Sequence, residues 1–162
     1  MPHGLNAVVL AFVVAICANA AETADNVAAK VFTPEIAQKV LGGPVEPAKR
    51  NSQADISNGS TVVSQCSYAL RTDSDQSTST SLVLRRAGSS EEAKKIFLAS
   101  KQMYKGEDVA SLGEAAYRTA APAQLNVLQG KTWLIISAGV FPKPDPALQE
   151  KAAREILKNI HD

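Results

Sequence analysis

Histidine, cysteine and paired acids are the residue types here that could carry catalysis or bind a metal, and the chain has two histidines and two cysteines. His3 lies in an apolar amino-terminal stretch, and His161 is the penultimate residue, where chain ends fray. General acid-base work at neutral pH most often uses a positioned histidine. With none inside the body of the chain, Ser-His-Asp and Cys-His arrangements cannot be built. Transition-metal sites want several His or Cys ligands, so no metal site is expected. Neither a phosphate-cradling glycine loop nor G-x-G-x-x-G occurs, and no cofactor is expected.

Paired carboxylates remain. Glu91-Glu92 is explained by helix capping, and Glu107-Asp108 follows a helix end. Asp73 and Asp75 sit in the polar run TDSDQST, which lacks the Gly and Glu of a calcium loop and reads as a solvated turn. Asn58-Gly59-Ser60 fits a glycosylation sequon but also reads as a turn.

The elements that must position any site begin after residue 20. Residues 1–20, MPHGLNAVVLAFVVAICANA, contain no Lys, Arg, Asp or Glu. Their apolar run, Ala7 to Ala18, is shorter than the roughly 20 residues a bilayer span needs, so no stable membrane span is expected. It ends in Ala18-Asn19-Ala20, the small-x-small pattern of a signal peptidase site. The expectation is a signal peptide cleaved after Ala20 and a periplasmic or secreted product. A lipid anchor through Cys17 is disfavoured, because Ile16 stands where a lipobox has a small residue. Residues 21–32 read as a leader, flexible or a frayed helix, and residues 33–162 as a single α+β domain. A net charge of +1 argues against nucleic acid, which needs a basic face. The basic pairs Lys49-Arg50 and Arg85-Arg86 are small.

Thr33-Pro34-Glu35 starts a helix that Gly42-Gly43 stops. The stretch GPVEPAKRNSQADISNG reads mainly as loop, with room for a short edge strand near Val45. From Ser60 the period becomes two: Val62, Ser64, Cys66, Tyr68 and Leu70 form one face, so Cys66, the one cysteine after the signal, reads as buried rather than paired with another molecule. Residues 80–85 alternate in the same way beyond a short loop, giving an antiparallel pair. Ser89 and Glu92 form a capping box for a helix whose stripe is Ala93, Ile96, Phe97, Ser100 and Met103. Asp145-Pro146 opens a last helix with Leu148, Ala152, Ile156 and Ile160 in its stripe. The fold class is α+β: an antiparallel sheet of four to six strands, helices mainly on one face, order α-β-β-α-β-β-α. Thr33, Ser89 and Asp145 are evenly spaced, which fits two α-β-β units or chance equally well.

The longest strand-like pattern, 125–137, holds the only tryptophan. With Gln129-Gly130 as its turn, Val127 faces Thr132, and Leu125, Val127, Leu134 and Ile136 share the core face. The other face carries Asn126, Leu128, Trp133 and Ile135, where a sheet covered on one side should show polar residues. Two readings stay open. A loop or the leader covers Trp133, or the register is slipped by one. Alternatively Trp133, Ile135, Asn126 and Tyr117 form an exposed patch for a ligand or partner.

Cys66-Ser67-Tyr68 on a strand, SLGEAAY at 111–117 and LNVLQGKTWLIIS at 125–137 together resemble a group of small bacterial envelope proteins, many of them lipoproteins. The shared pattern is a C-x-aromatic strand, a Gly-x-Gly-acid-x-Ala-aromatic step and an L-x-V-x-x-G hairpin. This resemblance spans roughly residues 33–160 and implies a sheet with flanking helices similar to the Mog1/PsbP-like fold, in an envelope binding or accessory role without catalysis. Ser111 departs from the pattern, which has glycine there, and the second cysteine common in that group is absent. The expected function is therefore a non-enzymatic exported domain whose partner is an envelope protein or a small apolar ligand. A small carboxylate-dependent hydrolase of envelope polymers, or an inhibitor or stability factor for a secreted enzyme, are the alternatives.

Overall fold

The computed structural model of the chain describes residues 26–47, 55–58, 61–71 and 77–161. The expected signal peptide, Cys17, residues 21–25 of the leader, and Asp73 and Asp75 lie outside the described residues. Every helix starts where a side-chain oxygen can take a backbone N–H that the first turn leaves unpaired. Asn26 caps α1 (Val27–Val31), Thr33 caps α2 (Pro34–Leu41), Ser89 caps α3 (Ser90–Met103) and Asp145 caps α4 (Pro146–Leu157). The capping box of α3 reaches one residue further back than its sequence pattern implies: Glu92 accepts from the backbone N–H of Gly88 at 3.0 Å.

Among the described residues, nine strand segments form one antiparallel sheet. They are β1 (Val45–Pro47), β2 (Asp55–Asn58), β3 (Thr61–Leu70), β4 (Ser79–Arg86), β5 (Glu107–Asp108), β6 (Ala115–Ala120), β7 (Ala123–Gln129), β8 (Thr132–Val140) and β9 (Lys143–Pro144). The count exceeds the expected four to six because four short segments flank the long strands, and two to four residues carry too little periodicity to register in a sequence. The stretch after Gly43, expected mainly as loop, supplies two of them. β1 pairs with the end of β3 and β2 with its beginning. The order across the sheet is β1-β3-β4-β8-β7-β6-β5, with β2 beside β3 and β9 beside β8. β4 and β8 join the two halves in the register Leu82↔Ile136 and Leu84↔Leu134.

One face of the sheet packs against α1, α2 and α4. Leu82, Leu84, Leu125, Val127, Leu134 and Ile136 from the strands are buried there with Phe32, Ala37, Val40 and Ile156. Residues 26–32 belong to this core, with α1 in place of the expected flexible or frayed segment there: Ala28 and Phe32 are fully buried. Ser64 of β3 fixes them, accepting from Ala28 N–H at 2.9 Å and donating to Asn26 Oδ1 at 2.8 Å. The Asn26 amide also donates to the carbonyl of Gln65, which lies between the stretches of β3 paired with β1 and with β2.

The opposite face is covered by α3 alone, so three of the four helices among the described residues share one face. β4 lies at the centre of the sheet and β5 at its far edge, so the helix between them must cross β8, β7 and β6. Ala93 and Phe97 of α3 meet Tyr117, Leu128 and Trp133 in a second buried cluster. The domain therefore has three layers, helix on sheet on helix. No helix among the described residues is long and apolar enough to cross a membrane.

The turn between β7 and β8 also differs from expectation. Leu128 faces Trp133 and Gln129 faces Thr132, so Gly130 and Lys131 make the turn. Gly130 has φ 51°, the left-handed backbone that a two-residue hairpin turn requires at its first position. Each residue's partner moves by two positions, an even shift, so every side chain keeps the face read from the sequence.

Candidate functional site

On the face under α3, cross-strand pairing lines up two rows of side chains. Ala115, Leu128, Trp133 and Arg85 form one row across β6, β7, β8 and β4; Tyr117, Asn126, Ile135 and Val83 form the next. The aromatic stack between helix and sheet draws one ring from each row. Phe97 meets Trp133 edge-on at 6.1 Å between ring centroids and Tyr117 at 4.8 Å. Over the second row the helix presents Ile96, Ser100 and Met103 instead, and a cavity of about 360 Å³ opens between the layers. That volume falls in the range of small-molecule sites.

Its walls are mostly apolar with a few convergent polar groups. The Trp133 indole N–H donates to Asn126 Oδ1 at 3.0 Å. Because the indole can only donate, this bond fixes the Asn126 amide with its Nδ2 group on the other side. Asn126 is 3% exposed and lines the cavity. The Tyr117 hydroxyl donates to Ser100 Oγ at 2.8 Å. Burial pushes the Tyr117 phenol up from its ordinary range, with the Ser100 bond opposing, so it stays a neutral donor. At the β4 side the Arg85 guanidinium lies 5.1 Å from the centre of the Trp133 ring. Its Nε is buried and without a partner. Thr119 closes the floor, its hydroxyl donating to the Pro122 carbonyl. No Asp or Glu lines the cavity.

All four residues marked from the sequence, Trp133, Ile135, Asn126 and Tyr117, line this one cavity. They do not form the exposed patch of the second reading: Trp133 is 5% exposed and Tyr117 fully buried. Among the described residues, the cover of Trp133 is α3, not a loop or residues 26–32. Sequence reasoning missed Arg85 and Ser100 as site residues. Arg85 was visible as half of a basic pair, and Ser100 as a hydroxyl in an otherwise apolar helical stripe. The second of these was the usable signal, since a polar group on the buried side of a helix needs a partner.

Among the described residues, the paired acids are not brought together in a pocket. Asp108 forms an ion pair with Lys101 at 2.6 Å, and Glu107 lies beside Arg118 in the β5–β6 register. Cys66 is fully buried, and burial pushes its thiol up to about 12, which leaves it protonated and unreactive.

Past Pro122 and Gln124, which border both, the cavity adjoins a second hollow of about 380 Å³ lined by Ser81, Ser137, Phe141 and Lys143. Of the large apolar residues exposed among those described, Met103, Tyr104 and Phe141 all border these two openings. Exposed apolar surface is therefore concentrated around the site rather than scattered. No protein-family model matches the chain, and neither a curated protein nor a solved structure is detectably similar to it.

Proposed function

We propose that this chain is an exported, non-catalytic binding domain of the bacterial cell envelope that holds a small, largely apolar ligand between α3 and the sheet. The observation that carries this reading is the mostly apolar cavity between α3 and the sheet, with the Arg85 Nε group buried and unpartnered among its lining residues. A buried donor left without an acceptor costs about 1–3 kcal/mol, and a ligand oxygen would remove that cost. The apolar walls formed by Ile96, Trp133 and Ile135 supply the rest of the contact. Export is supported by the apolar first twenty residues ending in Ala18-Asn19-Ala20, and the envelope role by the strand and hairpin motifs that resemble small envelope proteins. The hydrolase alternative needs two acids in one pocket and finds none lining this one.

The test is native mass spectrometry of the exported wild-type domain beside Ala99→Phe, which places a phenyl ring at the cavity. The expected result is a co-purifying small molecule in the wild type that the variant lacks. A wild type that is bare, and whose melting temperature no small apolar compound raises, contradicts the proposal.

A further inference from the structure

We infer that the ligand of this cavity is an amphipathic carboxylate, its anionic group seated on Arg85 and its apolar body lying between Ile96 and Ile135. This rests on the cavity being a ligand site and adds the chemical class. Arg85 projects from β4 directly opposite Trp133, and the Trp133 ring holds its guanidinium at 5.1 Å. A stacked guanidinium keeps its planar fork of N–H donors free for a planar acceptor such as carboxylate.

Elsewhere in the same sheet an arginine has that acceptor within the protein: Arg118 of β6 donates to Glu150 at 2.9 Å. Arg85 has no carboxylate partner among the described residues; the buried Nε of both arginines is unsatisfied, so the difference between them lies in the missing counter-charge. A partly desolvated cation without a counter-charge is unfavourable, and an anionic ligand relieves this.

Asn126 offers Nδ2, and the Tyr117–Ser100 hydroxyl pair uses one of its two protons internally and keeps the other to donate. The described residues lining the cavity include one cation and no acid, with neutral amides and hydroxyls besides. A carboxylate complements that set; an ammonium group meets a cation and no acid.

Isothermal titration of the mature domain with octanoate, octanamide and octylamine tests this, because the three differ only at the head group. Octanoate should bind about tenfold or more tightly than octanamide, the advantage of a charge-assisted pair over a neutral one, and octylamine should bind weakest. In Arg85→Gln the octanoate advantage should vanish while octanamide affinity is kept, and Arg85→Lys should retain part of it. Circular dichroism of both variants checks that they fold. If wild type binds octanoate and octanamide equally, or prefers octylamine, the anion inference falls while the cavity reading stands. If none of the three binds, the cavity reading falls with it.

Discussion

Trp133 and Asn126 are diagonal neighbours on the β7–β8 hairpin, joined by an indole-to-amide hydrogen bond of 3.0 Å beneath α3. One residue serves as packing and the other as its polar anchor, and together they hold the cavity wall in a single conformation. This relationship makes Trp133 structural as well as ligand-facing. Trp133→Ala should destabilise the domain by about 3–5 kcal/mol, the usual cost of removing a buried aromatic ring. Trp133→Phe should cost less, about 1–3 kcal/mol, for the lost ring area and the Asn126 oxygen left unpaired. Urea denaturation followed by circular dichroism reads both.

Cys66 and Tyr68 lie on the same buried face of β3, and burial pushes each group up to about 12. Both stay neutral in the fold while the unfolded chain ionises them at lower pH. Their stabilisation is therefore complete below the unfolded thiol value of 9.0 and is lost as pH rises from there toward about 12. Urea midpoints should fall steadily over that window. Cys66→Ala should flatten the lower part of the fall, and in the wild type Cys66 should react with thiol reagents only after unfolding.

Ser64 ties the first helix to the sheet through its bonds to Ala28 N–H and Asn26 Oδ1. Ser64→Ala leaves both groups buried without that partner and should cost about 1–3 kcal/mol. Hydrogen exchange at residues 27–32 should accelerate more than exchange in β7 or β8. Equal acceleration everywhere would mean that this bond does not act locally.

Ser111 has φ 63°, the left-handed region that a non-glycine residue enters at a cost of roughly 1–2 kcal/mol. Ser111→Gly relieves the strain but frees the unfolded chain by about 0.5–1 kcal/mol, so a net gain of about 0.5 kcal/mol is expected. Thermal denaturation should show a small rise in midpoint.

Long periodic segments were readable in the sequence. The caps Thr33, Ser89 and Asp145, the alternation of β3 and β4, and the two faces of β7–β8 follow from local chemistry and period. What the sequence hid was set by chain path. The side of the sheet that α3 covers depends on where β5 joins, and β5 is two residues long. The second apolar face of β7–β8, with Leu128, Trp133 and Ile135, was legible, but its pattern fits a covered face and an exposed patch alike. Arg85 was hidden for the same reason: only the pairing of β4 with β8 brings it to Trp133. The turn was misplaced by one residue because Gln129-Gly130 and Gly130-Lys131 are both plausible, and Thr132, fully buried, decides between them.

Trp133 is the single tryptophan of the chain and lines the cavity, so its indole N–H gives one resonance that reports on the site alone. Titrating the nitrogen-labelled domain with octanoate should shift that resonance saturably, with the backbone amides of Ser100 and Asn126 following the same curve. An indole resonance that stays fixed while octanoate binds elsewhere, or does not bind, would contradict a ligand site between α3 and the sheet.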